Sequence, residues 1–184
     1  IRKHLGKKNI ILGGQGAWSA EIINKEGFGH KLKKKGLCDL YIVGEGEASI
    51  KQVLNGITKG AGISDEHPTQ IDNLDTLPFP NYGFYDLDRY DYLDAGKEVF
   101  ITGSRGCVRR CTYCDVARYW PKFRYRSGIN IAEEMINHYE KHGVNYFYFT
   151  DSLINGSMKA FNDMCDVLAK YNTNHKAGFS WKGQ

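Results

Sequence analysis

Three cysteines crowd into eight residues: Cys107, Cys111 and Cys114, within the stretch Thr102-Gly103-Ser104-Arg105-Gly106-Cys107-Val108-Arg109-Arg110-Cys111-Thr112-Tyr113-Cys114. A C-x3-C-x2-C spacing lets three thiolates ligate three corners of one cubane, and cysteine is the usual protein ligand of iron–sulfur clusters. Three ligands instead of four leave one iron free for a substrate or cosubstrate, which a pure electron carrier does not need. The plainer alternative is structural zinc, which takes four ligands, often from two paired knuckles. No second pair is present, and His138, the nearest downstream histidine, falls in the middle of a helical pattern. The spacing therefore predicts a [4Fe–4S] cluster on Cys107, Cys111 and Cys114.

Charge surrounds this motif. Arg105, Arg109 and Arg110 flank the cysteines and would offset the negative charge of a cluster and its ligands; ordinary solvated arginines are the competing reading. The run Pro121 to Arg126 (PKFRYR) adds positive charge and reads as a solvated loop. The two remaining cysteines look structural. Cys165 lies on the apolar face of a helix and Cys38 opens a buried strand, where a thiol serves as a small hydrophobe.

The elements around the motif follow from apolar periodicity. Val99-Phe100-Ile101-Thr102 is a strand that delivers the cysteine loop. A helix follows from about Ile131 to His142, with Asn130 and Glu133 resembling a capping box at its start. Val144 to Thr150 is nearly all apolar and aromatic, the pattern of a strand covered on both faces. A second helix runs from about Ser157 to Tyr171, its core stripe made by Phe161, Met164, Cys165 and Leu168. Ala177 to Trp181 reads as a third strand.

The N-terminal part has the same alternation. Asn9 to Leu12 is a short strand ending in Gly13-Gly14, Ala20 to Lys25 a short helix, Cys38 to Val43 a buried strand ending in Gly44-Glu45-Gly46-Glu47, and Ala48 to Leu54 a helix. Alternating strands and helices predict an α/β fold with parallel sheets. Between the two parts, Leu77-Pro78-Phe79-Pro80 cannot form a regular helix. Tyr82, Phe84, Tyr85, Tyr90 and Tyr92 are expected to anchor that connection on a domain. The organisation read from the sequence is a first domain over 1–57, a linker over 58–96 and a second domain over 97–184.

Bulk properties agree with an enzyme and exclude several other classes. With 41% hydrophobic residues in 184 the chain can bury a core, and its mild net charge of +4 fits an enzyme with anionic ligands as well as a nucleic-acid binder and decides little between them. Clustered cysteines without an export signal point away from a disulfide scaffold and to a reducing, cytoplasmic compartment. No membrane span is visible. The basic run Lys31-Leu32-Lys33-Lys34-Lys35 lacks an aromatic stacking platform and reads as a solvated helix end, so nucleic acid is not an expected partner. The chain starts at Ile1 and ends just after an apparent strand, which reads as a piece of something longer.

The cysteine loop resembles that of the radical S-adenosylmethionine (radical SAM) superfamily, whose hallmark is C-x3-C-x-aromatic-C after the first strand of a (βα) barrel; Tyr113 supplies the aromatic. The resemblance implies that the free iron chelates the amino and carboxylate groups of S-adenosylmethionine and that one electron cleaves the sulfonium to a 5′-deoxyadenosyl radical. It places Tyr113 near the adenine and Thr150, Asp151 and Ser152 near the methionine amino group. The family often has Gly-Gly-Glu there; this chain does not, and Asp151 is the candidate carboxylate. A reductant such as flavodoxin or ferredoxin and a small-molecule or other substrate are the implied partners.

Ile10-Ile11-Leu12-Gly13-Gly14, the run Asp39 to Glu47, Leu77 to Tyr82, and Tyr125-Arg126-Ser127 are similar to the subfamily whose barrel is preceded by a cobalamin-binding-type domain. The fold this implies is the C-terminal half of a Rossmann-like domain followed by the first part of a partial TIM barrel. Glycines after parallel strands let backbone approach a ligand, so Gly13, Gly14, Gly44, Glu45 and Gly46 are candidate cobalamin contacts; tight turns are the alternative use of these glycines. Cobalamin-dependent methyl transfer is one reaction this allows. The methylthiotransferases share the cysteine spacing but carry further cysteines in their N-terminal domain, one expected about where Gly14 stands, which disfavours a second cluster here. A non-catalytic zinc or iron–sulfur module and an electron-transfer protein are the alternatives from other classes.

Overall fold

The computed structural model describes residues 2–6, 8–14, 28–58, 70–90 and 97–184. The helix expected at Ala20 to Lys25 and the aromatic Tyr92 lie outside them. The chain divides into two units, Ile1–Asp72 and Asn73–Gln184.

In the first unit a one-turn helix α1 (Arg2–Leu5) precedes strand β1 (Ile11–Leu12), and helix α2 (Phe28–Lys34) leads to strand β2 (Leu40–Tyr41). The strands are parallel, with Ile11 opposite Leu40 and Leu12 opposite Tyr41. Leu40, Ile42 and Val53, with Ile11 against them, form the core. Gly29 permits α2 to lie on the sheet: a Cβ there would stand 2.7 Å from the Tyr41 ring. Helix α3 (Gly46–Thr58) follows β2 directly.

The second unit begins with the proline-containing segment, so residues 73–90 belong to it, while 59–69 and 91–96 lie outside the described residues. Leu74 is buried, and Tyr82 and Leu87 pack on the core. Phe84 and Tyr85 do not; both are exposed. Strands β3 (Glu98–Ile101), β6 (Tyr146–Phe149) and β7 (Ser180–Lys182) form a parallel sheet in the order β3-β6-β7. Helix α5 (Gly128–His142) connects β3 to β6, and α6 (Met158–His175) connects β6 to β7. Val99, Ile101, Phe147 and Phe149 alternate onto the side where Ile131, Ala132, Met135, Met164 and Leu168 of the helices meet them.

The other side of the sheet corrects the expectation of a doubly covered strand. Tyr146 and Tyr148 are only half-buried, and Phe100 is 53% exposed. Tyrosine tolerates this because its hydroxyl end stays wet. The Lys182 ammonium lies over both tyrosine rings, 5.4 and 4.8 Å from their centroids, and reaches Glu98 at 2.9 Å.

Helix α5 also starts earlier than its apolar pattern suggests. Ser127, not Asn130, is the N-cap, and its hydroxyl accepts the Asn130 N–H at 3.2 Å. The Asn130 side chain instead accepts the Arg126 Nε–H at 2.7 Å. Gly143, at φ 68°, closes the helix in the left-handed conformation that glycine adopts without a Cβ penalty.

Candidate functional site

The cysteines occupy an excursion from the edge of the sheet. After β3 the chain forms β4 (Ser104–Arg105), which pairs antiparallel with β5 (Arg124–Tyr125), Ser104 opposite Tyr125 and Arg105 opposite Arg124. This two-residue ribbon closes the neck of the loop. Gly106 sits at that neck with φ +89°, and a Cβ there would lie 3.1 Å from the Lys122 carbonyl. Within the excursion a single-turn helix α4 (Val116–Tyr119) follows the last cysteine. The ribbon was not read from the sequence, because two-residue strands carry too short an alternation to signal themselves.

All three cysteines are free thiols; Cys107 and Cys114 are half-buried and Cys111 is exposed. The Arg109 N–H donates to Cys107 Sγ at 3.4 Å, and a turn bond joins Cys114 N–H to the Cys111 carbonyl at 3.1 Å. Among the described residues no group of three or more His, Cys, Asp or Glu side chains is drawn together around one metal ion. A cubane takes each thiolate at a different iron, so its ligands do not have to converge on a point. The indole Nε1–H of Trp120, at the loop's neck, is buried with no acceptor among the described residues. Three accessible thiols on one loop, a backbone N–H already turned to sulfur and a spare donor on the same excursion fit an anionic iron–sulfur cluster.

Tyr113 stands out from the loop, 89% exposed. Thr150 and Asp151 lie at the carboxyl end of β6, beside the chain leaving β3, as the register Ile101 opposite Phe149 dictates. Thr150 is exposed; its hydroxyl meets the Thr102 hydroxyl at 2.9 Å. Asp151 turns the other way and is buried. One carboxylate oxygen accepts the Gly103 N–H at 2.9 Å and the other a short hydrogen bond from the Ser104 hydroxyl. Burial pushes the Asp151 carboxyl above the usual carboxylate range, opposed by these donors. Ser152 is half-buried.

The PKFRYR segment departs from the solvated loop expected for it: Arg124 and Arg126 are buried. The ribbon explains this, since β5 carries Arg124 and delivers Arg126 into a set of acceptors. Arg126 donates to the Thr102 carbonyl at 3.2 Å, to Asn130, and to the Glu134 carboxylate. Arg109 and Arg110 are exposed. In the first unit Gly13-Gly14 and Gly44 follow the two parallel strands at the same edge; Gly14 and Gly44 adopt φ +83° and +89°. Glu45 is buried and accepts the Ile71 N–H at 2.6 Å, and Gly46 opens α3.

The chain is similar along most of its length to curated proteins. It is 26% identical over 188 residues, 94% of this chain, to the anaerobic magnesium-protoporphyrin IX monomethyl ester cyclase of Synechocystis sp.. It is 26% identical over 129 residues, 65% of this chain, to the cytidylyl-2-hydroxyethylphosphonate methyltransferase of Streptomyces wedmorensis. It is 28% identical over 102 residues, 53% of this chain, to a putative methylthiotransferase of Methanocaldococcus jannaschii. These similarities agree with the branch of the radical SAM superfamily that the cysteine loop and the glycine runs resemble. These matches cover 36%, 23% and 22% of the three relatives, so the chain spans about a third of their length or less. No protein-family model matches it. No solved structure matches it. No helix among the described residues is long and apolar enough to cross a membrane.

Sequence reasoning missed Ser104 and Glu134. Ser104 had a signal: a hydroxyl three residues past the end of β3 lies near the first acidic residue past the neighbouring parallel strand. Glu134 had none, since one of three glutamates in a polar helix reads as solvated.

Proposed function

We propose that the chain is part of a radical SAM enzyme that binds a [4Fe–4S] cluster through Cys107, Cys111 and Cys114 and reductively cleaves S-adenosylmethionine. The observation that carries this reading is three free thiols in C-x3-C-x2-C spacing on a loop that leaves the carboxyl end of a parallel strand. When bound, the cluster supplies the electron that breaks the sulfonium and an iron site for the cofactor's amino and carboxylate groups.

The rest falls to the chain's own residues. The β4–β5 ribbon holds the cysteine loop at the edge of the sheet. Tyr113 offers an exposed ring for the adenine, and Thr150 and Ser152, at the end of β6, offer polar groups to the methionine part. In this reading the second unit is the first portion of a (βα) barrel, with the face of Phe100, Tyr146 and Tyr148 toward its interior. The first unit is the C-terminal half of a Rossmann-type cobalamin domain. Gly13, Gly14, Gly44 and Gly46 then border the cobalamin; Glu45, already engaged by Ile71, holds the adjoining backbone. Flavodoxin or ferredoxin would reduce the cluster, in the cytoplasm.

The test is anaerobic reconstitution of the chain with iron and sulfide. A brown protein whose reduced spectrum changes on adding S-adenosylmethionine, and which releases 5′-deoxyadenosine, is the expected result. A colourless protein holding one zinc, or a cluster indifferent to S-adenosylmethionine, overturns the reading.

A further inference from the structure

We propose that Asp151 is a positioning residue that pins the root of the cysteine loop and is not itself a ligand of the cofactor. This rests on the reading of the loop as the cluster site. Asp151 leaves β6 on the side of the sheet opposite to Thr150, and only 5% of it is exposed. Its two oxygens are committed to Gly103 N–H and the Ser104 hydroxyl. A cofactor amino group at the exposed end of β6 meets Thr150 first and would have to displace these donors to reach the carboxylate.

The pinned segment is the one that carries the cysteines. Ser104 opens β4, and Cys107 stands three residues on, past the neck glycine Gly106. The approach is close at Gly103: a Cβ there would lie 3.2 Å from Asp151 Oδ1 and 3.1 Å from Ile131 Cδ1, so a side chain would press on both. From the opposite side the Arg126 N–H donates to the Gly103 carbonyl at 2.8 Å, and its guanidinium donates to the Thr102 carbonyl. The segment Thr102–Ser104 is thus held between the end of β6 and the start of α5. Where Cys107 presents its sulfur relative to Thr150 depends on that hold, and a buried carboxylate with several donors is a stiff one because leaving them unmade is costly.

Amide hydrogen exchange on the full cluster-free chain tests the pin without requiring the cluster. Asp151→Asn should speed exchange at Gly103 and Ser104 about tenfold or more while Phe147 and Met135 keep their protection, the mark of local and not global opening. Ser104→Ala should do the same more weakly, and Ser104→Thr, which keeps the hydroxyl, should restore the slow rate. In reconstituted protein the electron paramagnetic resonance signal of the reduced cluster should shift in Asp151→Asn and Ser104→Ala and return in Ser104→Thr. Unchanged exchange at Gly103 in both Asp151→Asn and Ser104→Ala overturns the proposal. So does a loss of S-adenosylmethionine affinity in Asp151→Asn that Ser104→Ala does not share, which would make Asp151 a direct ligand. Failure of the unsubstituted chain to take a cluster overturns the preceding reading and leaves the exchange rates to decide this one.

Discussion

Arg126, just before the N-cap of α5, and Glu134, in its second turn, form a buried ion pair, with 9% and 2% of their side chains exposed. The guanidinium has almost no donor left over: it also reaches Asn130 Oδ1, the Asn130 carbonyl and the Thr102 carbonyl, and its Cζ lies 5.5 Å from the Phe79 ring centroid. Removing one partner of a buried pair strands the other charge. Glu134→Ala should therefore cost about 3–5 kcal/mol in equilibrium urea unfolding, and the double variant Arg126→Met/Glu134→Leu should recover most of that loss. A single-variant cost of under about 1 kcal/mol would mean that the pair behaves as a solvated one.

The crossing of α5 and α6 depends on Gly128. A Cβ at Gly128 would strike the Ala160 carbonyl oxygen and stand 2.5 Å from Met164 N. Both obstacles are backbone of α6, which cannot rotate aside. Gly128→Ala should separate the helices and destabilise the fold by about 3 kcal/mol, at the upper end of overpacking costs. Ala160 offers the control: Ala160→Gly removes a methyl without moving the crossing, and its unfolding midpoint should fall by much less.

What the sequence disclosed and what it hid divide along physical lines. The parallel strands and the two long helices were legible because their apolar periodicities run for many residues. Met164 and Leu168 are buried where the helical stripe put them, with Phe161 and Cys165 packed alongside. The helix ends were less so. Helix α6 runs a turn beyond Tyr171 and stops at Lys176, in the left-handed conformation at φ 52°, with no glycine to announce it. The cysteine motif was legible as spacing. Its support was not, because β4, β5 and Ser104 act through contacts between residues some 20 to 50 positions apart, as in Gly103 to Asp151 at 48, and Arg126 reaches back to Thr102 across 24.

Tyr82 predicts an alkaline limit to stability. Its ring meets the buried His138 edge-on at 5.1 Å, and its hydroxyl donates to the Phe100 carbonyl at 3.3 Å. Burial, with the nearby Glu134 charge adding to it, raises its pKa above the usual tyrosine value. The folded chain thus keeps this proton after the unfolded chain has released it. The sign follows: its contribution is fully present below the unfolded pKa and is lost as pH rises through the folded one. Unfolding free energy measured from pH 8 upward should fall across that window, and Tyr82→Phe should flatten the fall. Near neutral pH the same variant should cost about 0.5–1.5 kcal/mol for the lost hydrogen bond. An unchanged alkaline slope would assign the loss to another group.

The five cysteines should separate by reactivity. Cys38 is buried at 3% exposure, and burial raises the Cys165 thiol above its usual range, with the Asp166 charge adding to it. Cys111 is exposed, with Cys107 and Cys114 half-buried on the same loop. Thiolate, not thiol, is the reacting form, so iodoacetamide should label Cys111 first in the cluster-free chain and Cys38 last, read by peptide mass mapping. Reconstitution should then protect Cys107, Cys111 and Cys114 together. Cys111→Ala should lose the bound iron, because a cubane held by two thiolates exposes two irons to exchange, whereas Cys165→Ala should retain it. Full iron content in Cys111→Ala would move the cluster off these three thiolates.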